Sequence, residues 1–200
     1  MKSILLKSKI LAFVAVMGMS ALMTSCTKED TAGPESSTPS DNVSNRSGAP
    51  APGLDPIAQI AINAGFTELV AALSYVDSSL NTGLVDLFLN GKDQYTVFAP
   101  TNAAFQNLYT ALNITKISDL PAPLVRDVLF YHVVEGRRAA NSVVPRNGTR
   151  NINTLLQVGF TVNTAGQITA VGNTANITSP NISASNGIIH VIDAVILPIN

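Results

Sequence analysis

Hydrophobic and polar positions divide the chain into three stretches. Residues 10–22 form a short apolar run behind a basic leader, and residues 27–52 carry almost no large apolar side chain. From residue 55 onward, apolar positions recur at the spacings of helices and strands, so this stretch can bury a core. The pattern predicts a signal peptide over residues 1–25, a tether over 26–54 and one folded domain over 55–200.

The first part of the domain is predicted to be helical. Apolar side chains recur every three or four residues in three runs, and a glycine follows the first run and the third. The signals are Ile57, Ile60, Ala61 and Ala64, ended by Gly65; Leu69, Val70, Leu73 and Val76, with Thr67 as the expected cap; and Leu84, Val85, Phe88 and Leu89, ended by Asn90-Gly91. We therefore expect three helices before the first strand.

The stretch QYTVFAPTNAAF, residues 94–105, joins a strand to a helix. Residues 95–99 have a strand pattern, and Pro100 ends it because proline has no backbone donor for the ladder. Apolar residues recur at helical spacing from Phe105 onward, so the hydroxyl of Thr101 is well placed to cap the helix amides. The alternative is that Thr101 and Asn102 bind a ligand.

One histidine lies at the end of the segment PLVRDVLFYHVVEG. It shares a helical face with Leu124, Val125, Val128 and Leu129, which directs His132 into the core if the helix extends that far. Tyr131 lies nearer the margin of that face. We favour a core histidine whose nitrogens bind backbone or hydroxyl groups over a histidine that contacts a ligand.

The other histidine lies in GIIHVIDAVIL, which is apolar on both faces of a predicted strand. Such a strand is typical of the centre of a sheet rather than of an exposed ligand platform. Strand alternation places His190 and Asp193 on opposite faces, so they cannot form a local pair of base and orienting group. Residues 154–183 alternate Thr and Asn with Val and Ile around glycine turns, which predicts strands and hairpins.

Three segments resemble the signature boxes of the fasciclin-like domain family. TVFAPTNAAF resembles the first box, LFYHVVEG the Tyr-His box and ASNGIIHVIDAVILP the last box, and Ala103 replaces a glutamate that is common in the first. The resemblance implies an α+β fold, a fasciclin-like β-wedge or sandwich with helices packed along one side. It also implies adhesion or matrix contact without catalytic chemistry, and it nominates Tyr131 and His132 for adhesion.

Positive charge is concentrated after the Tyr-His box. The segment EGRRAANSVVPRNGTR carries Arg137, Arg138, Arg146 and Arg150 against one acidic residue, Glu135. If the fold brings these arginines together, they suit the carboxylate or sulfate groups of an anionic polysaccharide. The alternative is a scattered set of solvated surface arginines.

The residue inventory excludes several functional classes. Cys26 is the one cysteine, the two histidines are far apart, and neither Gly-x-Ser-x-Gly nor a phosphate-binding glycine loop occurs, so we expect no enzyme, metal or cofactor. A carboxylate pair assembled by the fold is the alternative that the sequence leaves open. Without residues 1–25 the chain has 9 Lys+Arg against 13 Asp+Glu, a net charge of −4, and no basic stripe with aromatic residues, so we expect no nucleic-acid partner.

The N-terminal stretch has the pattern of an export signal. Lys2, Lys7 and Lys9 precede an apolar run that is short for a bilayer span, and MTSC, which ends at Cys26, resembles the lipobox of bacterial lipoproteins. The alternative is a transmembrane anchor. The triplet KED at residues 28–30 resembles signals that send some lipoproteins to the outer face of the outer membrane, and an ordinary solvated charge run is the alternative.

These features together predict a lipid-anchored protein of the bacterial outer membrane whose domain faces the cell exterior. The polar tether, with a mean span of about 28 Å, holds the domain clear of the lipid surface. The expected partners are extracellular matrix, a glycan or a surface protein, with the membrane bound through the lipid. The alternative function is a structural cell-envelope lipoprotein without a specific external ligand.

We predict that Cys26 is the acylated N-terminus of the mature protein, because it directly follows the lipobox-like Met23-Thr24-Ser25. Metabolic labelling with a fatty-acid analogue should mark the parent protein and leave Cys26→Ala unmarked. Label retained in Cys26→Ala would contradict the prediction.

Overall fold

The computed structural model describes residues 50–199, so the predicted signal, Cys26 and most of the predicted tether lie outside the described residues. The helices are α1 (Ile57–Asn63), α2 (Thr67–Leu80), α3 (Leu84–Asn90), α4 (Asn102–Leu112), α5 (Ala122–Tyr131) and α6 (Ala140–Val143), with a 3-10 turn at Ile117–Asp119. The strands are β1 (Tyr95–Pro100), β2 (Val133–Glu135), β3 (Thr149–Asn153), β4 (Gly159–Asn163), β5 (Gln167–Thr169), β6 (Thr174–Ala184) and β7 (Gly187–Ile192). Within residues 50–199, none of these helices has the length and apolar character needed to cross a membrane.

The strands form one sheet in the order β2-β1-β7-β6-β5-β4-β3. The pair β1 and β7 is parallel, with Tyr95 opposite Gly187 and Pro100 opposite Ile192, and the other neighbours are antiparallel. All six residues of β7 are buried, which confirms the predicted central strand. A strand in this position needs apolar side chains on both faces because neither face meets water.

Two apolar clusters cover the two faces of β1 and β7. Helices α1 to α5 pack on one face, against Val97, Ala99 and Ile189. On the other face, Phe98 and Ile192 pack against side chains of β3, β4 and β5, so the sheet closes on itself as a wedge. Each large side chain buried in this way contributes roughly 1.5–3 kcal/mol. The α+β fold with helices along one side is confirmed.

Aromatic rings fill the inside of the wedge. The ring of Phe160 on β4 meets Phe98 edge to face, with centroids 5.1 Å apart, and meets Tyr131 in the same way at 5.8 Å. Such pairs contribute about 0.5–1.5 kcal/mol beyond their buried area. They join the end of α5 to the antiparallel half of the sheet.

The turn between α1 and α2 differs in one respect from the prediction. The helix predicted to end at Gly65 does so, in a left-handed turn with φ 75°, but Thr67 is the first helical residue and does not cap α2. The side chain of Asn102 takes that role: its oxygen accepts from the Glu68 amide at 3.2 Å, and its nitrogen donates to the Gly65 carbonyl at 2.9 Å. The expectation for Thr67 was wrong because a residue 35 positions later supplies the cap.

Thr101 behaves as predicted. Its hydroxyl accepts from the amide of Ala104 at 3.2 Å and so caps α4. Thr101 and Asn102 are therefore capping residues of two different helices. Together they tie the carboxyl end of β1 to α4 and to the turn between α1 and α2.

We predict that Asn102→Ala destabilises the domain by about 1–2 kcal/mol, because it removes the cap of α2 and leaves the Gly65 carbonyl without its partner. Asn107→Ala, an exposed position in the same helix, is the matched control and should change stability by less than about 0.5 kcal/mol. Urea unfolding of both variants measures the difference. Equal stability of the two variants would contradict the capping role.

Candidate functional site

The Tyr-His box lies at the junction between the end of α5 and the start of β2. His132 follows the last helical residue, is 3% exposed and faces the apolar cluster on the helix side of the sheet. One ring nitrogen, Nδ1, lies 2.7 Å from the carbonyl oxygen of Val128, and the other, Nε2, accepts from the Ile196 amide at 3.1 Å. These partners assign the proton to Nδ1, because a carbonyl can only accept. The predicted core position of His132 agrees with this geometry.

Burial sets the protonation state of both histidines. Loss of solvation lowers the pKa of His132 from 6.5 to about 4, although its bond to the Val128 carbonyl acts in the opposite direction. Burial also lowers the pKa of His190, against the opposing effect of the Arg138 carbonyl. Both imidazoles are therefore neutral at pH 7.

Tyr131 does not lie near the margin, as the helical pattern suggested, but is fully buried. Its hydroxyl donates to the carbonyl of Gly159 at 3.0 Å, and its ring packs on Phe160. The expectation was wrong because it considered α5 alone, whereas β4 covers the other side of the ring. Neither side chain of the Tyr-His box reaches the protein surface.

His190 connects β7 to two neighbouring segments. Its Nε2 donates to the carbonyl of Arg138 at 2.9 Å, and its Nδ1 accepts from the amide of Asn181 at 3.3 Å. Asp193 binds elsewhere, accepting from the backbone and side-chain nitrogens of Asn176 at 2.6 and 2.9 Å. With both ring nitrogens of each histidine bonded to backbone, neither imidazole is available as a base.

The guanidinium group of Arg137 binds the protein itself. It donates to the carbonyls of Pro50, Ala51, Ala184 and Gly187 and to the hydroxyl of Ser183. Burial lowers the pKa of Arg137 below its ordinary value. Because both Nη nitrogens already have acceptors, this side chain is not available as a free anion-binding group.

The other three arginines differ in their surroundings. Arg150 donates to the carbonyls of Asn141 and Ser142 near the end of α6. Arg138 is half-buried and makes one long bond, 3.4 Å, from Nε to the Glu135 carbonyl, and Arg146 is exposed. Of the four predicted arginines, Arg138 and Arg146 are therefore the two whose guanidinium groups make the fewest hydrogen bonds to the protein. Binding of an anionic ligand by this segment stays a prediction.

Asn186 has a role that the sequence analysis missed. It is 4% exposed, its Oδ1 accepts from the Ile57 amide at 2.8 Å, and its Nδ2 donates to the Phe88 carbonyl at 3.0 Å. One side chain thus joins the start of α1 to α3. Asn186 is the second residue of the two-residue turn between β6 and β7. The signal that could have found it is an asparagine, a favoured turn residue, directly before the apolar run of β7.

A small cavity lies beside His132 among the helices. It is lined by apolar side chains from α1, α2, α3 and α5, with His132 as its one polar neighbour, and has a volume of about 30 Å³. Ligand pockets usually measure 300 Å³ or more, so this cavity is a packing gap rather than a binding site.

Known proteins resemble this chain in sequence. Residues 64–198 match the sequence model of the Fasciclin domain. The chain belongs to the fasciclin-domain family. A solved pair of FAS1 domains from the insect cell adhesion molecule Fasciclin I has a TM-score of 0.46 and 17% identity to this chain, covering 66% of it and 45% of that chain.

Two curated relatives illustrate the family. Immunogenic protein MPB70 of Mycobacterium bovis is 40% identical over 147 residues, which cover 72% of this chain and 69% of the relative. Transforming growth factor-beta-induced protein ig-h3 of Sus scrofa is 31% identical over 140 residues, which cover 70% of this chain and 19% of the relative. The match to the family recognised from the three boxes is thus confirmed.

We predict that the domain loses stability as the pH falls from 7 to 5. The unfolded chain protonates His132 near pH 6.5, whereas the folded chain does so only near pH 4, so the unfolded state binds more protons in this window. This histidine alone should lower the free energy of unfolding by about 2 kcal/mol at pH 5, and His190 acts in the same direction.

The variant His132→Ala tests that account. It should be less stable than the parent at pH 7 by about 2–4 kcal/mol, because the Val128 carbonyl and the Ile196 amide lose their partner. It should also lose much of the difference between pH 7 and pH 5. Tyr131→Phe is the control, since it removes one hydrogen bond, keeps the imidazole and should retain the pH dependence. Urea unfolding at both pH values measures all three proteins, and an unchanged pH dependence in His132→Ala would contradict the assignment.

Proposed function

We propose that this protein is an envelope lipoprotein whose fasciclin domain binds extracellular matrix, a glycan or a surface protein outside the cell. The anchor is the acylated Cys26, and the polar tether carries the domain away from the outer membrane. Binding takes place at the domain surface and involves no catalysis. The neutral, buried Tyr131 and His132 support that surface from within.

The observation that carries the proposal is that the polar groups suited to chemistry serve the fold. Within residues 50–199, every buried side-chain nitrogen and oxygen has a hydrogen-bond partner. Both histidines hold two backbone groups each. Enzyme sites usually keep such groups poised toward a cleft, with pKa values tuned to proton transfer. A domain whose buried polar side chains are satisfied internally suits recognition by its surface.

Relatives support the location. Cell surface glycolipoprotein MPB83 of Mycobacterium bovis is 36% identical over 147 residues, which cover 72% of this chain and 61% of the relative. By its name that relative is a lipoprotein at a cell surface, and the sequence MTSC at residues 23–26 of this chain suits the same chemistry. The second candidate, a structural envelope lipoprotein without an external ligand, shares the anchor and differs only in binding.

Arg138 and Arg146 are the residues we propose for contact with an anionic glycan or acidic protein. They follow the Tyr-His box in the chain, and neither guanidinium group is held as Arg137 is. Exposed charge pairs contribute about 0.2–1 kcal/mol each, so a single domain binds weakly. Many anchored copies on one cell then give firm attachment.

We predict that cells displaying the full-length protein attach to an anionic surface on a glycan and matrix array. Replacing Arg138 and Arg146 together by glutamine should reduce the affinity about 2- to 30-fold. Attachment of the parent should also fall as salt rises from 0.1 to 1 M, because the screening length shrinks from about 10 to 3 Å. The matched control replaces Lys92 and Lys116, two exposed lysines, by glutamine and removes the same charge elsewhere.

Each outcome separates the candidates. Equal attachment of both double variants would exclude Arg138 and Arg146 as the contact. No attachment to any surface, in cells from which external protease removes the domain, would favour the structural lipoprotein. Protection from protease until the outer membrane is opened would place the domain on the periplasmic side.

A further inference from the structure

The residues directly before α1 are bound to the hairpin between β6 and β7. The amide of Gly53 donates to the carbonyl of Ala184 at 3.3 Å, and the amide of Ser185 donates to the carbonyl of Asp55 at 2.8 Å. The contact is close: a Cβ on Gly53 would lie 2.3 Å from the carbonyl oxygen of Ser183, so no larger residue fits without movement. The last residues of the predicted tether thus lie along the folded domain.

Arg137 closes this contact from the other side. Its Nη1 donates to Ala184 at 2.9 Å and to Gly187, both in the hairpin. Its Nη2 donates to the carbonyls of Pro50 and Ala51 at 3.1 and 3.3 Å. The planar guanidinium group has donors on two edges, so one side chain can hold two chain segments at once. Ser183 adds to the contact because its hydroxyl also bonds the Ala51 carbonyl.

The bound segment precedes both α1 and the match to the Fasciclin domain. The match to the Fasciclin domain begins at residue 64, whereas the bound segment covers residues 50–55. Helix α1 is tied to the hairpin independently of these contacts, through Asn186. The contacts of Pro50, Ala51, Gly53 and Asp55 therefore add to those that hold α1, and they fix the chain ahead of the first helix.

The position of the bound segment in the fold determines where an anchored chain leaves the domain. Tyr95 pairs with Gly187, so the hairpin lies at the amino ends of β1 and β7. The carboxyl ends of the same strands, about 17 Å away at 3.3 Å per residue, carry Asn102 and the turn between α1 and α2. A chain fastened at the first end leaves the domain there and directs the second end away from its anchor.

We propose that Arg137 is a tether clamp: it docks residues 50–53 on the hairpin between β6 and β7, and so sets which end of the domain an anchored chain displays. The display rests on the proposed function, because only an anchored tether gives the domain an outward end. The docking is a property of the folded chain and does not depend on an anchor. Without the clamp, the tether would be free up to the start of α1, which Asn186 still holds at the hairpin.

Hydrogen exchange of the full-length protein in detergent micelles tests the docking. In Arg137→Gln, the amide of Gly53 should exchange at least tenfold faster than in the parent, while the amides of β7 keep their protection. Arg138→Gln, the neighbouring arginine with the same change of charge, should leave the Gly53 amide unchanged. Equal exchange of Gly53 in the parent and Arg137→Gln would overturn the proposal.

A second variant approaches the clamp from the tether. Gly53→Ala places a methyl group against the Ser183 carbonyl and should release residues 51–55 while Arg137 is intact. This variant keeps the test decisive if Arg137→Gln fails to fold. Parent-like exchange across residues 51–55 in Gly53→Ala would also overturn the docking.

Labelling of intact cells tests the display. Single cysteines are introduced at Ala64 in the turn between α1 and α2, or at Ser185 in the clamped hairpin, both exposed positions. A large membrane-impermeant maleimide should react at least fivefold faster with Ala64→Cys than with Ser185→Cys. Arg137→Gln should reduce this preference, because the free tether then begins at α1, which Asn186 still holds at the hairpin. Equal rates in the parent background would overturn the assigned orientation.

The docking and the display can be refuted independently of each other. If neither cysteine reacts until the outer membrane is opened, surface display and hence the proposed function fail, while the exchange experiment still decides the docking. If display is confirmed but the Gly53 amide is insensitive to Arg137, the clamp fails and the proposed function stands.

Discussion

Backbone groups that leave a regular ladder inside the domain must still find hydrogen-bond partners, and much of this structure follows from that constraint. Strand β7 lies between two neighbours and is buried on both faces, so the segments around it cannot turn to water. Three buried polar side chains meet the need. His132 bonds the amide of Ile196 beyond β7, His190 bonds the β6 backbone, and Asn186 bonds the start of α1.

The same constraint gives the Tyr-His box a structural role. A neutral imidazole is both a donor and an acceptor, so His132 can join a carbonyl on α5 to an amide on another segment in a way that phenylalanine or lysine cannot. Tyr131 similarly joins α5 to β4 through one hydroxyl. Loss of either side chain would shift the surface above it without touching a ligand. An adhesion defect in such a variant is then a consequence of altered shape.

Local patterns in the sequence predicted local features well. Helical spacing located α1 to α4, apolar character on both faces identified β7 as central, and the residue order around Thr101 predicted its cap. The failures concern partners that are distant in the chain. Arg137 looks like a surface charge in its own segment, yet it binds residues 46 to 87 positions away. Periodicity carries no information on which distant segment will cover a side chain, so it also misplaced Tyr131 and assigned the α2 cap to Thr67.

The parallel pairing of β1 with β7 has a consequence for how the chain acquires its structure. β7 is the last strand of the described residues, yet it lies beside β1, about 90 positions earlier, and separates the two apolar clusters. Pairings this distant must close a long loop before they gain any contacts, which slows folding. A nascent chain that lacks residues 187–192 cannot complete either cluster, because Ile189 belongs to one and Ile192 to the other. For a protein predicted to cross a membrane before it matures, slow folding has an advantage: the chain remains unfolded, and so able to pass through a narrow channel, until β7 can pair with β1.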